Sequence, residues 1–178
     1  MGIAAFIGAS MGLAAGYFGG RVDMVVSFLI SVRLALPAVL VAVAVVALIG
    51  GTMGIVIVVL GCLIWDRFAV VLRASSQQIR SMDYVNAAKA AGCSTLWIMG
   101  REILPNLFNN LMVVATLEIG RAILLEAALS FLGMGVQPPT PSWGLMISEG
   151  KEYMLFEPYL ITIPGVALFV LVLGMNLL

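Results

Sequence analysis

The stretch Leu34 to Ile49, LALPAVLVAVAVVALI, contains no ionisable side chain, and neither does Leu160 to Leu178, LITIPGVALFVLVLGMNLL. Neither run alternates apolar with polar residues, as a barrel strand of about ten residues must. Inside a bilayer every backbone N–H and C=O has to find its partner within the protein, so runs of this kind fit helices crossing a hydrocarbon core of roughly 30 Å. The rest of the chain agrees. Hydrophobic residues make up 62% of the 178 positions and charged residues 10%, and the mean hydropathy is +1.14. A soluble domain is nearer one quarter charged, so too few polar side chains remain to coat a globule in water. The expected fold is all-α, a polytopic transmembrane helical bundle.

Outward from these runs, five apolar segments can be drawn: Gly2–Phe18, Met24–Ile49, Met53–Val71, Leu107–Leu132 and Tyr159–Leu178. Glycine turns separate the first three, at Gly19-Gly20 and Gly50-Gly51. Two sizeable polar stretches remain, Arg73–Asn106 and Gly135–Pro158. Arg67, Arg73, Arg80, Lys89 and Arg101 lie in or beside the first, whereas the second holds Lys151 against Glu149, Glu152 and Glu157. The excess of Lys and Arg marks the cytoplasmic side, which puts residues 76–105 inside and 134–158 outside. The domain reading is a single transmembrane domain over 1–178. The chain opens directly into apolar sequence with no cleavable leader pattern, and it stops at Asn176-Leu177-Leu178 without a flanking charge. A fragment truncated at both ends is the expectation.

Several classes are disfavoured. The formal net charge is zero and no basic cluster with interleaved aromatics is present, so the footprint of a nucleic-acid binder is missing. Histidine is absent, and Cys62 and Cys93 match no metal or redox spacing. No metal or cofactor is expected. Both lysines, Lys89 and Lys151, are followed by Ala and Glu, so the chain lacks the G-x-x-x-x-G-K-[ST] phosphate-binding loop.

The polar stretch Arg73–Asn106 carries the most specific signal. Ile79, Met82 and Val85 recur at helical spacing, which predicts an amphipathic helix over 76–91 ended by Gly92. Ser94 is placed to cap a second helix, Thr95–Leu104, expected to stop near Pro105 because the residue before proline is driven from the α region. Such a helix can also simply rest on lipid headgroups.

Read as text, this segment is Asp83-Tyr84-Val85-Asn86-Ala87-Ala88-Lys89-Ala90-Ala91-Gly92, followed by Ile103-Leu104-Pro105. It resembles the Glu-Ala-Ala loop of binding-protein-dependent ABC importer permeases, with Asn86 where the glutamate usually sits. Glu126-Ala127-Ala128-Leu129-Ser130-Phe131-Leu132-Gly133-Met134-Gly135-Val136-Gln137-Pro138-Pro139-Thr140-Pro141-Ser142-Trp143-Gly144 is similar to a run in the oligopeptide, dipeptide and nickel branch of the same permeases. Gly16-Tyr17-Phe18-Gly19-Gly20 and Leu34-Ala35-Leu36-Pro37 also resemble that branch.

The resemblance implies a bundle of the methionine-permease-like type, about five spans plus cytoplasmic coupling helices, in the inner membrane of a prokaryote. It implies that Asp83, Tyr84, Asn86, Ala87, Ala88, Ala91, Gly92, Leu104 and Pro105 couple the chain to a separate ATP-hydrolysing subunit. The further implied partners are a homologous second permease, an extracytoplasmic solute-binding protein and membrane lipid, and the solute is a peptide or a related small molecule, nickel included. Plain helix propensity is the competing account of the alanines. Arg33, Glu118, Arg121 and Glu126 are the intramembrane candidates for the translocation path, because charge in hydrocarbon is costly. Glu118 and Arg121, three apart on one helix, equally well satisfy each other. Pro37 and Pro164 are expected to bend their spans. Two other functions compete: a proton-coupled secondary carrier using Glu118 or Glu126, and a membrane subunit that only organises partners.

Overall fold

The computed structural model describes residues 1–177, and it is helical, with no strand among the described residues. In chain order the helices are α1 (Gly2–Phe18), α2 (Gly20–Ala35), α3 (Ala38–Ile49), α4 (Met53–Leu63), α5 (Asp66–Arg80), α6 (Asp83–Ala90), α7 (Thr95–Trp97), α8 (Leu104–Phe131), α9 (Trp143–Gly150) and α10 (Tyr159–Asn176). Two helical stretches, Met53–Arg80 and Tyr159–Asn176, are long and apolar enough to cross a membrane among the described residues; Gly20–Ala35 with Ala38–Ile49 adds a third if the pair is one broken span. The break falls at Leu36-Pro37, where the sequence predicted a bend. Gly2–Phe18 is apolar but a shorter helix.

The chain folds into two compact units, the first made of Gly2–Ala35 and Trp65–Ala115, the second of Leu36–Ile64 with the chain from Thr116 onward and Met1. The first unit is built on a close approach of α1 to α5. Gly8, Gly12 and Gly16 repeat every four residues, so they form one stripe on α1. A Cβ on Gly8 would lie 2.4 Å from the Trp65 carbonyl oxygen, one on Gly12 2.7 Å from that of Ala69, and one on Gly16 2.6 Å from that of Arg73. Small residues let helix backbones meet where lipid offers no hydrophobic drive for association. Phe68, Ala69 and Leu72 on the facing side of α5 are buried. An ion pair ties α2 to α5: the Arg73 Nη2 donates to Asp23 Oδ2 at 2.7 Å, and its Nε donates to Oδ1.

Below that contact lies a small apolar core of Leu72, Ile79, Val85, Ile98, Ile103 and Leu107, with Ala88 and Cys93 packed against it. The expected helix over 76–91 is two helices. α5 ends at Arg80, where the Ser81 hydroxyl donates to the Gln78 carbonyl at 2.7 Å and Met82 takes an extended conformation (φ −73°, ψ 150°). Ser and its local hydrogen bonds compete with a continuing helix, and Asp83 then opens α6 where a negative charge suits the helix dipole.

The second expectation fails at Pro105. Ser94 does cap the next helix, accepting from the Trp97 N–H at 3.3 Å, but the helix does not stop before the proline. A six-residue π-helical stretch, Ile98–Ile103, intervenes, and α8 continues from Leu104 through Pro105 to Phe131. Proline removes one backbone donor and crowds the preceding turn. A wider π turn just ahead of it leaves room for the ring, so the helix is carried through instead of ended.

In the second unit, Gly50 (φ +112°) ends α3 and the Thr52 side chain accepts from the Ile55 N–H at 3.4 Å to start α4. The polar stretch 134–158 contains α9, whose N-terminus is capped by Ser142 accepting from the Leu145 N–H at 3.1 Å. α9 packs on α8 at Gly144, where a Cβ would lie 2.3 Å from the Ala127 carbonyl oxygen. Ser148 adds a bond from its hydroxyl to the Phe131 carbonyl at 2.9 Å.

Candidate functional site

α6 is short, and its residues divide sharply by face. Val85 is fully buried and Ala88 packs half-buried against the same core. On the opposite side Asp83, Ala87, Ala90 and Ala91 are exposed, and Tyr84 is 38% exposed. Three of the four alanines therefore leave a thin outer surface, while Ala88 serves the interior. The Asn106 amide donates to the Tyr84 hydroxyl at 3.4 Å, and the Asn86 amide donates to the Ser81 carbonyl at 3.4 Å.

The end of α6 is a Schellman turn. The Cys93 N–H bonds to the Ala88 carbonyl at 3.1 Å and the Gly92 N–H to that of Lys89 at 3.0 Å, the paired 6→1 and 5→2 pattern. Gly92 has φ +79°. A Cβ there would meet nothing within 4 Å, so glycine is needed for its backbone conformation and not for space. Leu104 and Pro105 are exposed at the start of α8, and the buried residues beside them are Ile103 and Leu107. Sequence reading passed over Leu96 and Trp97, which are 82% and 44% exposed on this same segment. The signal available was two bulky apolar residues in an otherwise polar stretch.

Of the intramembrane candidates, Arg33 is buried in α2, and Glu118, Arg121 and Glu126 lie on α8. Glu118 and Arg121 form an ion pair at 3.4 Å, the pairing that their spacing predicted. Glu126, two turns further, accepts a bond from the buried Ser130 hydroxyl at 2.6 Å. It lines an open cavity of about 650 Å³ within the second unit, with Ile57, Leu60, Ile123, Trp143 and Leu168 among its walls. One carboxylate, one indole and a mostly aliphatic surface suit a small amphipathic solute. Asp66 is a further residue that sequence reading missed. It is fully buried at the start of α5, and neither carboxylate oxygen has a hydrogen-bond partner. Its charge in the Met53–Val71 run was the visible signal. Among the described residues no group of three or more His, Cys, Asp or Glu is placed to hold a metal ion, and Cys62 and Cys93 are unpaired thiols.

Long apolar helices, helix contacts made by small residues, and exposed apolar side chains such as Phe28 at 66% and Phe169 at 65% define an integral membrane protein of the α-helical class. Residues 8–178 match the family described as binding-protein-dependent transport system inner membrane component. The chain belongs to that family. The glutathione transport system permease protein GsiD of Pectobacterium atrosepticum is 36% identical over 172 residues, which covers 97% of this chain and 57% of the relative. The dipeptide transport system permease protein DppC of Alkalihalophilus pseudofirmus is 35% identical over 175 residues, covering 98% and 58%. A putative peptide transport system permease protein of Brucella suis is 38% identical over 176 residues, covering 99% and 59%. The chain thus spans less than three fifths of the length of these relatives.

Proposed function

We propose that this chain acts as a permease subunit of an ATP-driven, binding-protein-dependent importer for peptides or related small solutes in the cytoplasmic membrane of a prokaryote. The reading rests on family membership and on the named functions of the relatives, glutathione, dipeptide and peptide transport. α6 is the part that meets a separate ATP-hydrolysing subunit. The observation that carries this assignment is its outer face of Asp83, Ala87, Ala90 and Ala91, closed by a left-handed Gly92. Alanines keep the surface thin enough to enter a groove, and the Val85 side anchors the same helix to its own unit, so a push on α6 is transmitted to α5 and α8. The side carrying 76–105 faces the cytoplasm, and 134–158 faces a solute-binding protein outside. A second, homologous permease completes the path, and the Glu126 cavity contributes one wall of it. The chain contributes no ATP chemistry of its own.

The test is Ala87→Asp in the assembled transporter. ATP hydrolysis and solute uptake should lose their coupling while membrane insertion is unchanged. Normal, ATP-dependent uptake in this variant would remove α6 from the mechanism. A proton-coupled carrier is separated by the same assay, since its uptake would follow a proton gradient and ignore ATP.

A further inference from the structure

Within the first unit, the ends of α1 and α5 and the inner flank of α6 border an open polar recess of about 510 Å³, lined by Gly16, Gln77, Arg80, Ser81, Asn86 and Lys89. Two cations and two side-chain amides meet there, and no acidic side chain lines it. The carboxylate of the same unit that stands on α2, Asp23, is already engaged by Arg73. Asp83 leads α6 but does not line the recess. Neither Arg80 nor Lys89 has an ion-pair partner among the described residues; the Lys89 ammonium lies 5.8 Å from the centre of the Tyr17 ring, a cation–π contact that leaves its charge uncompensated. Gly16, whose lack of a side chain serves the α1 contact with α5, also leaves the recess open on that wall.

Two apolar side chains near these residues in sequence are solvent-exposed, Phe18 at the end of α1 at 52% and Met82 next to Ser81 at 40%. A cationic site at the end of Met53–Arg80, a helical stretch long and apolar enough to cross a membrane, matches an anionic amphiphile better than a free anion. Basic pockets at helix ends on the cytoplasmic side are suited to lipid headgroups bearing negative charge. We propose that this recess binds the phosphate headgroup of an anionic phospholipid, with Arg80 and Lys89 supplying charge and Gln77 and Asn86 supplying amide donors. Since Asn86 and Lys89 belong to α6, the bound headgroup ties that helix to α1 and α5. Occupancy then stiffens the element proposed to meet the ATP-hydrolysing subunit. The inference rests on the membrane reading and on the cytoplasmic side proposed for 76–105, but not on the transport assignment.

The experiment uses the purified full chain in a neutral detergent, titrated with short-chain phosphatidylglycerol, short-chain phosphatidylcholine or inorganic phosphate, and read by native mass spectrometry. Phosphatidylglycerol should bind and phosphatidylcholine should not. A basic residue near an anionic headgroup contributes about a fivefold gain in affinity, so R80Q and K89Q should each lose about fivefold and the double variant about twenty-five-fold. R67Q, which alters an exposed arginine outside the recess, should leave binding as it was, as should the charge-retaining R80K. Equal phosphatidylglycerol binding by the double variant overturns the proposal. So does inorganic phosphate that binds as tightly as the lipid with the same dependence on Arg80 and Lys89, because the site would then be one for a free anion. Neither readout involves uptake or ATP hydrolysis, so failure here is distinct from failure of the importer assignment.

Discussion

Replacing Gly92 tests whether the turn after α6 is held by backbone conformation. At φ +79° with open space around the missing Cβ, a side chain pays nothing for volume and everything for handedness. An L-residue in the left-handed region costs about 1–2 kcal/mol, more if it is β-branched, and asparagine tolerates the region better than alanine. Gly92→Asn should therefore cost less than about 1 kcal/mol, Gly92→Ala about 1 kcal/mol or a little more, and Gly92→Val clearly the most. The cost falls on the Schellman bonds, Cys93 N–H to Ala88 and Gly92 N–H to Lys89. Hydrogen exchange at these amides reads it directly, since about 1.4 kcal/mol is a tenfold change in the opening equilibrium. Exchange should rise less than about fivefold for Asn, five- to tenfold for Ala and beyond tenfold for Val. The order Gly, Asn, Ala, Val differs from the order of side-chain volume, in which alanine precedes asparagine. If alanine is milder than asparagine, crowding governs the site and the conformational argument fails.

Other substitutions probe the packing. Gly12→Ala puts a methyl 2.7 Å from the Ala69 carbonyl oxygen and should lower stability by about 1–3 kcal/mol, whereas Gly54→Ala, with nothing within 4 Å, should be neutral or stabilising; thermal unfolding in detergent separates the two. Asp23→Asn and Arg73→Gln should each cost about 1 kcal/mol, since both partners are partly exposed, and the double variant should cost little more than either alone in a double-mutant cycle. Ala88→Asp places a charge against the core of Leu72, Ile79 and Val85 and should destabilise the first unit by at least about 2 kcal/mol, giving reduced yield of folded protein, in contrast to the exposed Ala87→Asp.

Class and helix content were legible in the sequence because each rests on a long pattern. Sixteen residues without charge at Leu34–Ile49 point to apolar helix, which the structure keeps over Ala38–Ile49 after the break at Leu36-Pro37. Gly92 was legible too, since glycine ending an alanine-rich helix implies a left-handed cap. What was hidden depended on partners distant in sequence. The Asp23–Arg73 pair joins residues 50 apart. The division of α6 into an inward Ala88 and outward Ala87 and Ala91 depends on where Val85 finds its core. Pro105 misled because proline's rule concerns the preceding turn, and a π-helical turn can meet its demand while the helix runs on. The Gly8, Gly12 and Gly16 stripe was readable as a small-residue motif, but only the facing α5 backbone shows what it is for.

The account turns on the outer face of α6 meeting an ATP-hydrolysing subunit. A photo-crosslinking residue placed at position 87 in the assembled, transport-competent complex measures this directly, with position 40 on α3, where Leu40 is 65% exposed, as the comparison. The account predicts that position 87 captures the nucleotide-binding subunit and position 40 does not. A complex that imports solute normally while position 87 captures lipid alone would contradict it.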